Sequence, residues 1–294
     1  IGTMWGGKIR FELPMLFAIG FVSLFVIGGL SGVTHSVVPS DYQQHDSYYV
    51  VAHFHYVLFG GGVFGFVAGA YYWFPKWTGR FLDKRLGLWH FWLMLIGFNM
   101  TFAPMHILGL NGMPRRTYRY GEGLGWEFWN QVATVGSFII GISFLIFAWN
   151  LIKSRKHGVE AGPDPWDGRT LEWSISSPPP VHNFDEIPIV EHVDDFWHRK
   201  YATDDDGRAV RMADVTGGTL IEANTGGEGS HEEDMHMPSP SYYPIIAAGG
   251  ITTVGYGLIY VPGGWVVAGI GLLITMWGVF GWSLEPVTRG EHHD

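Results

Sequence analysis

Hydrophobic residues run along this chain in long continuous blocks, without the alternation that marks half-exposed strands. Four stretches contain no Asp, Glu, Lys or Arg over more than the roughly 20 residues that a helix needs to cross a hydrocarbon layer. They are residues 13–40, 47–75, 86–114 and 128–152. A fifth stretch, 235–284, is long enough for two crossings, and its central sequence Tyr-Val-Pro-Gly-Gly at 260–264 predicts a turn between them.

The blocks predict an all-α fold, a polytopic membrane protein with about six transmembrane helices. Only helices and closed barrels satisfy backbone hydrogen bonds within lipid, and continuous apolar blocks favour helices. Composition agrees, because 47% of the residues are hydrophobic and only 15% are charged. The chain has no cysteine, which excludes disulfides and thiolate metal sites. We expect the helices near 13–36, 48–74, 87–110, 128–152, 242–260 and 264–284.

The polar residues divide the chain into three parts. Residues 1–156 form a four-helix part, 157–237 a polar linker, and 238–294 a two-helix hairpin. Lys and Arg mark the cytoplasmic face, and alternating helix direction places nine of them on one face. These nine are Lys8, Arg10, Lys76, Arg80, Lys84, Arg85, Lys153, Arg155 and Lys156.

The polar linker has acidic clusters at 204–206 and 232–234 and few aliphatic residues to bury. We therefore expect an extended cytoplasmic arm, ordered where it lies on a partner surface. The acidic linker accounts for much of the net charge of −9, so no nucleic-acid partner is expected. Four aromatic residues could anchor the arm: Trp166, Trp173, Phe184 and Trp197.

Two histidines, His53 and His55, interrupt the second block and are separated by Phe54. A helix turns by about 100° per residue, so the two imidazoles point to nearly opposite sides. They cannot bind one small ion together from a regular helix, and each needs a partner on its own flank. An unpaired polar group in the apolar layer costs several kcal/mol, by order of magnitude.

Three interpretations of the pair remain open from the residues alone. Each imidazole could donate to a carbonyl of a neighbouring helix, or the pair could relay protons. Alternatively, each could be an axial ligand of a haem iron. Haems held here would lie on the order of 10 Å from the outer end of the helix at about 1.5 Å per residue. Their propionates would then reach Arg115 and Arg116, which lie on the outer face although Lys and Arg usually mark the cytoplasmic one. Guanidinium groups are suited to pairing with carboxylates.

His45 and Asp46 precede the same helix on its outer side. A nitrogen and an oxygen ligand side by side suit Mg²⁺ or Mn²⁺. The ordinary alternative is that Asp46 caps the helix.

The run His45-Asp46-Ser47-Tyr48-Tyr49-Val50-Val51-Ala52-His53-Phe54-His55-Tyr56, with Gly112-Met113-Pro114-Arg115-Arg116 after one more helix, resembles subunit I of the haem-copper cytochrome c oxidases. The resemblance covers roughly residues 1–185 and is strongest to bacterial, actinobacterial-type versions. It implies that His53 is the proximal ligand of the high-spin haem and His55 an axial ligand of the low-spin haem, both expected to be haem A. Phe54 would lie between the macrocycles, Arg115 and Arg116 would pair with propionates, and His45 and Asp46 would help hold Mg or Mn.

The resemblance is limited to the last four helices of that subunit. The ligands of the copper beside the high-spin haem, and the second ligand of the low-spin haem, have no counterpart here. We therefore expect the chain to be a piece of a longer protein or one half of a split subunit. Its last two helices faintly resemble the hairpin of a small accessory subunit, which suggests a fusion.

The resemblance implies the C-terminal part of the catalytic subunit of a respiratory terminal oxidase in a bacterial plasma membrane. Its partners would be the remainder of subunit I, subunits II and III, and a cytochrome c-type donor, alone or within a supercomplex with a bc complex. Oxygen would be reduced to water with proton translocation. The alternatives are a quinol oxidase of the same superfamily and a haem-free membrane scaffold or transporter.

Overall fold

A computed structural model of the chain describes residues 1–184, 187–203, 209–212, 241–259 and 263–285. The acidic clusters at 204–206 and 232–234 lie outside the described residues, as do residues 260–262 of the expected turn. The chain divides into two compact units, and residues 1–180 and 186–218 make up the first. The second unit contains residues 181–185 and 219–294.

The first unit contains four long helical segments at the predicted places. Each is long and apolar enough to cross a membrane. The second of them changes winding in its middle, with a wider π-helical stretch between two α-helices. The elements are α1 (Leu13–Ser36), the short α2 (Val38–Gln44), α3 (Tyr48–Val57), the π-helical stretch (Leu58–Val63), α4 (Phe64–Thr78), α5 (Lys84–Leu110) and α6 (Glu127–His157).

Local sequence signals set the ends of these helices. The Ser47 side chain accepts a hydrogen bond from the backbone N–H of Tyr49 and caps α3. The Asp83 carboxylate accepts from two backbone N–H groups and caps α5 in the same way. Gly79 ends α4 at φ 70°, a left-handed conformation that glycine adopts without strain.

The four segments pack through an aromatic and glycine-rich core. Helix α5 lies along α6, α3 contacts α5 and α1, and α1 contacts α4. Phe17, Phe64 and Phe98 are fully buried among them. A Cβ added at Gly97 would lie 2.9 Å from a backbone nitrogen of α6, so a small residue there allows the two helices to approach closely.

The alternating helices give this unit two distinct ends. At one, Ser47 pairs with Pro114, which joins the start of α3 to the segment after α5. We call this the histidine end. At the other, Arg80 pairs with Glu160, which joins the α4–α5 turn to the segment after α6. We call this the basic end.

The segment after α6 differs from the extended arm that the sequence predicts. Trp173 is only 1% exposed, and Trp166 stacks on Tyr72 with its indole nitrogen donating to the Tyr72 carbonyl 2.8 Å away. The Trp173 ring also packs edge-on against Tyr72, with centroids 5.1 Å apart, so two of the four expected anchors contact α4 of the chain itself. Further along, Lys200 is buried, and its Nζ contacts Asp164 and Asp167 at 2.7 and 2.8 Å. The polar part includes a 3₁₀ turn (Leu171–Ser174), α7 (Asp195–Lys200), and the antiparallel strands β1 (Tyr201–Thr203) and β2 (Ala209–Arg211).

Indole rings and paired lysines thus supply the burial that the scarce aliphatic residues cannot. The other two expected anchors differ from Trp166 and Trp173. The Trp197 ring stacks on Tyr201 with centroids 4.1 Å apart, which is a contact within the polar segment itself. Phe184 belongs to the second unit.

The second unit contains two apolar helices, α8 (Tyr243–Ile259) and α9 (Trp265–Ser283), which pack along each other. Glycines line the contact: a Cβ at Gly250 or Gly257 would meet the backbone of Thr275 or Ala268. Helix α9 is long enough to count as a membrane span, whereas α8, with 17 residues, is shorter than the five candidate spans. Five described helical segments are thus candidate spans, and α8 is the sixth apolar helix of the predicted set.

Candidate functional site

The side chain of His53 points from α3 toward α1. Its Nδ1 lies 2.9 Å from the Gly28 carbonyl oxygen and 3.1 Å from the Ser31 hydroxyl oxygen. A ring nitrogen that donates to a carbonyl must carry the proton, so this contact places the lone pair of the neutral imidazole on Nε2.

The side chain of His55 points from the other side of α3 toward α5. Its ring stacks on Phe102 with centroids 4.1 Å apart and planes 14° apart. Its Nδ1 donates to the Val51 carbonyl, 2.8 Å away in its own helix. The two imidazoles therefore point away from each other, as a turn of about 100° per residue requires.

Both imidazoles use Nδ1 on a backbone carbonyl, and within the described residues neither Nε2 has a hydrogen-bond partner. The simple structural interpretation, a hydrogen bond to a neighbouring helix, describes His53 only in part. It does not describe His55, whose carbonyl partner belongs to its own helix. An imidazole that is fixed through Nδ1 and free at Nε2 is the usual arrangement of a metal-binding histidine. The donor set therefore fits one axial bond to iron on each side of α3.

Phe54 separates the two ligand candidates. Its ring centroid lies 4.5 Å from that of His55, with the planes 31° apart. The π-helical stretch begins one turn further on at Leu58, whose side chain is 66% exposed. Such local widening of a helix occurs often at functional sites, and it leaves open surface beside the histidine pair.

Asp46 organises the polar groups at the histidine end. It adopts φ 56°, and its carboxylate lies 2.6 Å from Arg115 Nε and 3.2 Å from His45 Nδ1. Its carbonyl also accepts from the Arg115 backbone N–H at 2.8 Å. The alternative that Asp46 caps the helix is wrong, because Ser47 makes the cap. Arg116 has φ 64° and an exposed side chain, and no ion pair of it is found in the described part of the chain.

A cavity of about 220 Å³ lies beside these groups. No set of three His, Cys, Asp or Glu side chains with the geometry of a metal site occurs in the described ranges. His45 and Asp46 are two donors, so an Mg²⁺ or Mn²⁺ ion here would need water or another chain to complete its coordination. The cavity is lined by His35, Asp41, His45, Asp46, Val50 and Arg115.

The sequence interpretation missed His35 and His106 as neighbours of the site. The His35 ring lies 5.0 Å from that of His53, centroid to centroid, and Tyr49 packs against both His35 and His106. The available signal was helical spacing, because Gly28, Ser31 and His35 recur every three or four residues on one face of α1. His90 lies elsewhere in the core, where its Nδ1 contacts the Tyr71 hydroxyl at 3.1 Å.

Comparison with known sequences gives related proteins across the chain. The family described as cytochrome c and quinol oxidase polypeptide I matches residues 1–139. A cytochrome c oxidase subunit 1 from Bacillus sp. strain PS3 is 43% identical over 95% of this chain and 43% of its own length. One from Thermostichus vulcanus is 56% identical over 65% of this chain and 34% of its own length. A probable subunit 1-beta from Nocardia farcinica is 55% identical over 65% of this chain and 33% of its own.

The matches differ in how much of the chain and of each relative they cover. The chain spans less than half the length of each of these relatives. The Bacillus match covers 95% of the chain, so it includes most of the polar segment and the hairpin as well as the four-helix part. Through residues 1–139, the chain therefore belongs to the cytochrome c and quinol oxidase polypeptide I family.

Proposed function

We propose that this chain is part of the catalytic subunit of a respiratory terminal oxidase, in which His53 binds the high-spin haem and His55 the low-spin haem. The observation that carries the proposal is the arrangement of the two imidazoles. They lie on opposite sides of α3, each is fixed through Nδ1 to a carbonyl, and neither Nε2 has a partner among the described residues. Two haems, expected to be of the A type, fit this donor set better than one shared ion.

The residues of the chain would bind, space and orient the cofactors. The Gly28 carbonyl holds the proton of His53 on Nδ1, and the Val51 carbonyl does the same for His55. The Phe54 ring would occupy the space between the two flanks. When bound, the haems and a nearby copper would carry electrons and reduce oxygen to water, with proton translocation.

The histidine end would serve the carboxylates of the cofactors and a divalent ion. Arg115 and Arg116 would pair with propionates, Arg115 while remaining in contact with Asp46. His45 and Asp46 would supply two ligands to Mg²⁺ or Mn²⁺. Both assignments are supported by the position of these residues at the end of α3 that bears the histidine pair.

The rest of the activity would need other chain segments. The copper ligands and the second ligand of the low-spin haem would come from the remainder of subunit I, and subunits II and III would complete the complex. A cytochrome c-type donor, alone or in a supercomplex with a bc complex, would supply electrons. The five candidate spans support an integral membrane protein, and we place it in the bacterial plasma membrane with residues 157–237 in the cytoplasm.

A quinol oxidase is the second candidate, because the family that matches residues 1–139 contains both donor types. The purified complex should oxidise reduced cytochrome c and leave quinol unoxidised, and the opposite preference would favour the second candidate. A reduced-minus-oxidised optical spectrum should show bands of two haems. A complete complex without haem bands would contradict both candidates and favour a haem-free scaffold or transporter.

A further inference from the structure

The wall of α1 that faces His53 contains three small residues: Gly28, Ser31 and Gly32. We call these three the α1 socket. A Cβ at Gly28 would lie 2.9 Å from Val57 Cγ2 and 3.0 Å from the backbone of Tyr56. Glycine at this position therefore allows α1 and α3 to approach so closely that the His53 ring reaches the α1 backbone.

Ser31 sits where the hydrogen bond of His53 is made. Its hydroxyl donates to the Gly28 carbonyl at 2.8 Å, and its oxygen lies 3.1 Å from His53 Nδ1. The His53 N–H thus has two oxygen acceptors within reach, the carbonyl and the hydroxyl. Ser31 is buried, so no solvent competes for this arrangement.

Gly32 lies against the edge of the His53 ring that carries the carbon Cε1. A Cβ added there would lie 2.7 Å from Cε1 of His53, the ring atom between the two nitrogens. Real Cβ contacts are longer, so a methyl group would push the ring away from α1 and move Nε2 with it. Gly29 provides the matched contrast, because a Cβ there meets nothing within 4 Å.

We propose that the α1 socket positions His53 as a ligand, with Ser31 and Gly32 acting as positioning residues that set the tautomer and the plane of its ring. This inference rests on the proposed function, since it concerns how His53 would present Nε2 to iron. The socket acts through the imidazole and does not itself touch a cofactor. A ligand's hydrogen bonds and packing tune the metal bond.

The test is the iron–histidine stretching band in the resonance Raman spectrum of the reduced, intact oxidase complex, together with its haem content. Gly32→Ala should shift or abolish the band of the high-spin haem and leave the low-spin haem spectrum unchanged. Gly29→Ala should leave both unchanged. A band at its original position in Gly32→Ala, at full haem content, would overturn the proposal.

Ser31 gives a second test that adds no bulk and therefore stands if Gly32→Ala fails to assemble. Ser31→Ala should shift the band, because it removes the hydroxyl beside His53 Nδ1. The control is Ser36→Ala, because Ser36 also donates to a carbonyl three residues earlier, at 2.7 Å, but is exposed. If the iron–histidine band lies at the same position in the unsubstituted, Ser31→Ala and Ser36→Ala complexes, Ser31 does not position His53.

Failure of the proposed function would look different. If the band persisted in His53→Ala, His53 would not be the ligand and the proposed function would be wrong at this residue. If the band vanished in His53→Ala but kept its position in the Gly32 and Ser31 variants, only the inference about α1 would fail.

Discussion

At the basic end of the first unit, the buried Lys76 directs its Nζ at three carbonyls of its own chain, those of Pro163, Ile175 and Ser176. At the histidine end, His53 and His55 each keep one ring nitrogen without a partner in the described residues. Both ends bury polar groups in a setting where an unpaired group is costly. The Lys76 ammonium therefore finds its partners within the chain, whereas the Nε2 atoms of His53 and His55 have none among the described residues and would bind the irons of the proposed function.

A second network of hydrogen bonds lies at the basic end. The Asp83 backbone N–H donates to Asn150 Oδ1 at 2.9 Å, and Lys153 Nζ donates to the Asp83 carboxylate at 2.7 Å. Arg80 binds the Gly158 carbonyl at 2.7 Å. The contacts join the α4–α5 turn to the end of α6 and to the polar segment.

The largest predicted effect on the basic end follows from Lys76→Met. The substitution removes a buried charged donor that serves three carbonyls, which should lower the local free energy of unfolding of residues 158–180 by about 3 kcal/mol. Amide hydrogen exchange should report it: the Ala161 amide, which donates to the Gly79 carbonyl, should exchange about 100-fold faster.

Lys84→Met is the matched control. Lys84 also forms an ion pair, with Glu12 at 2.8 Å, but its side chain is 60% exposed. Surface pairs contribute about 0–1 kcal/mol, so the Ala161 amide should change little. Similar exchange in the two variants would mean that Lys76 does not hold the polar segment.

A smaller effect is expected at Asp83. Hydrogen bonds from Lys153 and from the Leu86 backbone N–H hold the pKa of the Asp83 carboxyl below its ordinary value. A depressed folded-state pKa stabilises the fold above the unfolded-state pKa, and this stabilisation is lost as the pH falls through the folded-state value. Asp83→Asn should therefore cost about 1 kcal/mol near neutral pH and nothing in strong acid.

Exchange of the Arg85 and Leu86 amides, which Asp83 caps, would measure this. The difference between the unsubstituted protein and Asp83→Asn should shrink as the pH falls below about 4. Glu12→Gln, at an exposed pair, should show almost no difference at any pH. A constant difference for Asp83→Asn would show that charge is not its cause.

The smallest predicted effect lies at the histidine end. Arg115→Gln removes a cation beside the expected propionates, which should lower the potential of the nearer haem by tens of millivolts, less than the roughly 59 mV of a tenfold change for one electron. A redox titration followed optically would measure the shift. Arg119→Gln is the control, because that exposed arginine lies over the Tyr118 ring, and an equal shift in both variants would favour a general charge effect.

The fold was largely predictable from the sequence because, of the two structures that span lipid, only helices are compatible with continuous apolar blocks of this length. Helix α1 begins and ends where the blocks predict, and α5 begins three residues early only because Asp83 caps it. The polar segment was the exception. Its folding depends on Trp173 and on lysines that pair with distant carbonyls and carboxylates, and such long-range pairing leaves no periodic signal.

The candidate site divides in a similar way. The opposite directions of His53 and His55 follow from helix geometry alone. The contact between Arg115 and Asp46 does not, because it depends on left-handed backbone at Asp46 and on the approach of two loops. The neighbours of His53 on α1 carried a helical spacing that could have been used, but spacing on one helix does not reveal which other helix it faces.

The central claim is that two neighbouring imidazoles of one helix hold two separate haem irons, and it is tested most directly by a pair of variants of the intact complex. In His55→Ala the optical signal of the low-spin haem should disappear while the high-spin site stays at least partly occupied, and in His53→Ala the iron–histidine band of the high-spin haem should be lost. Loss of the same signal in both variants, or equal loss of both haems from a fully assembled complex, would contradict the account.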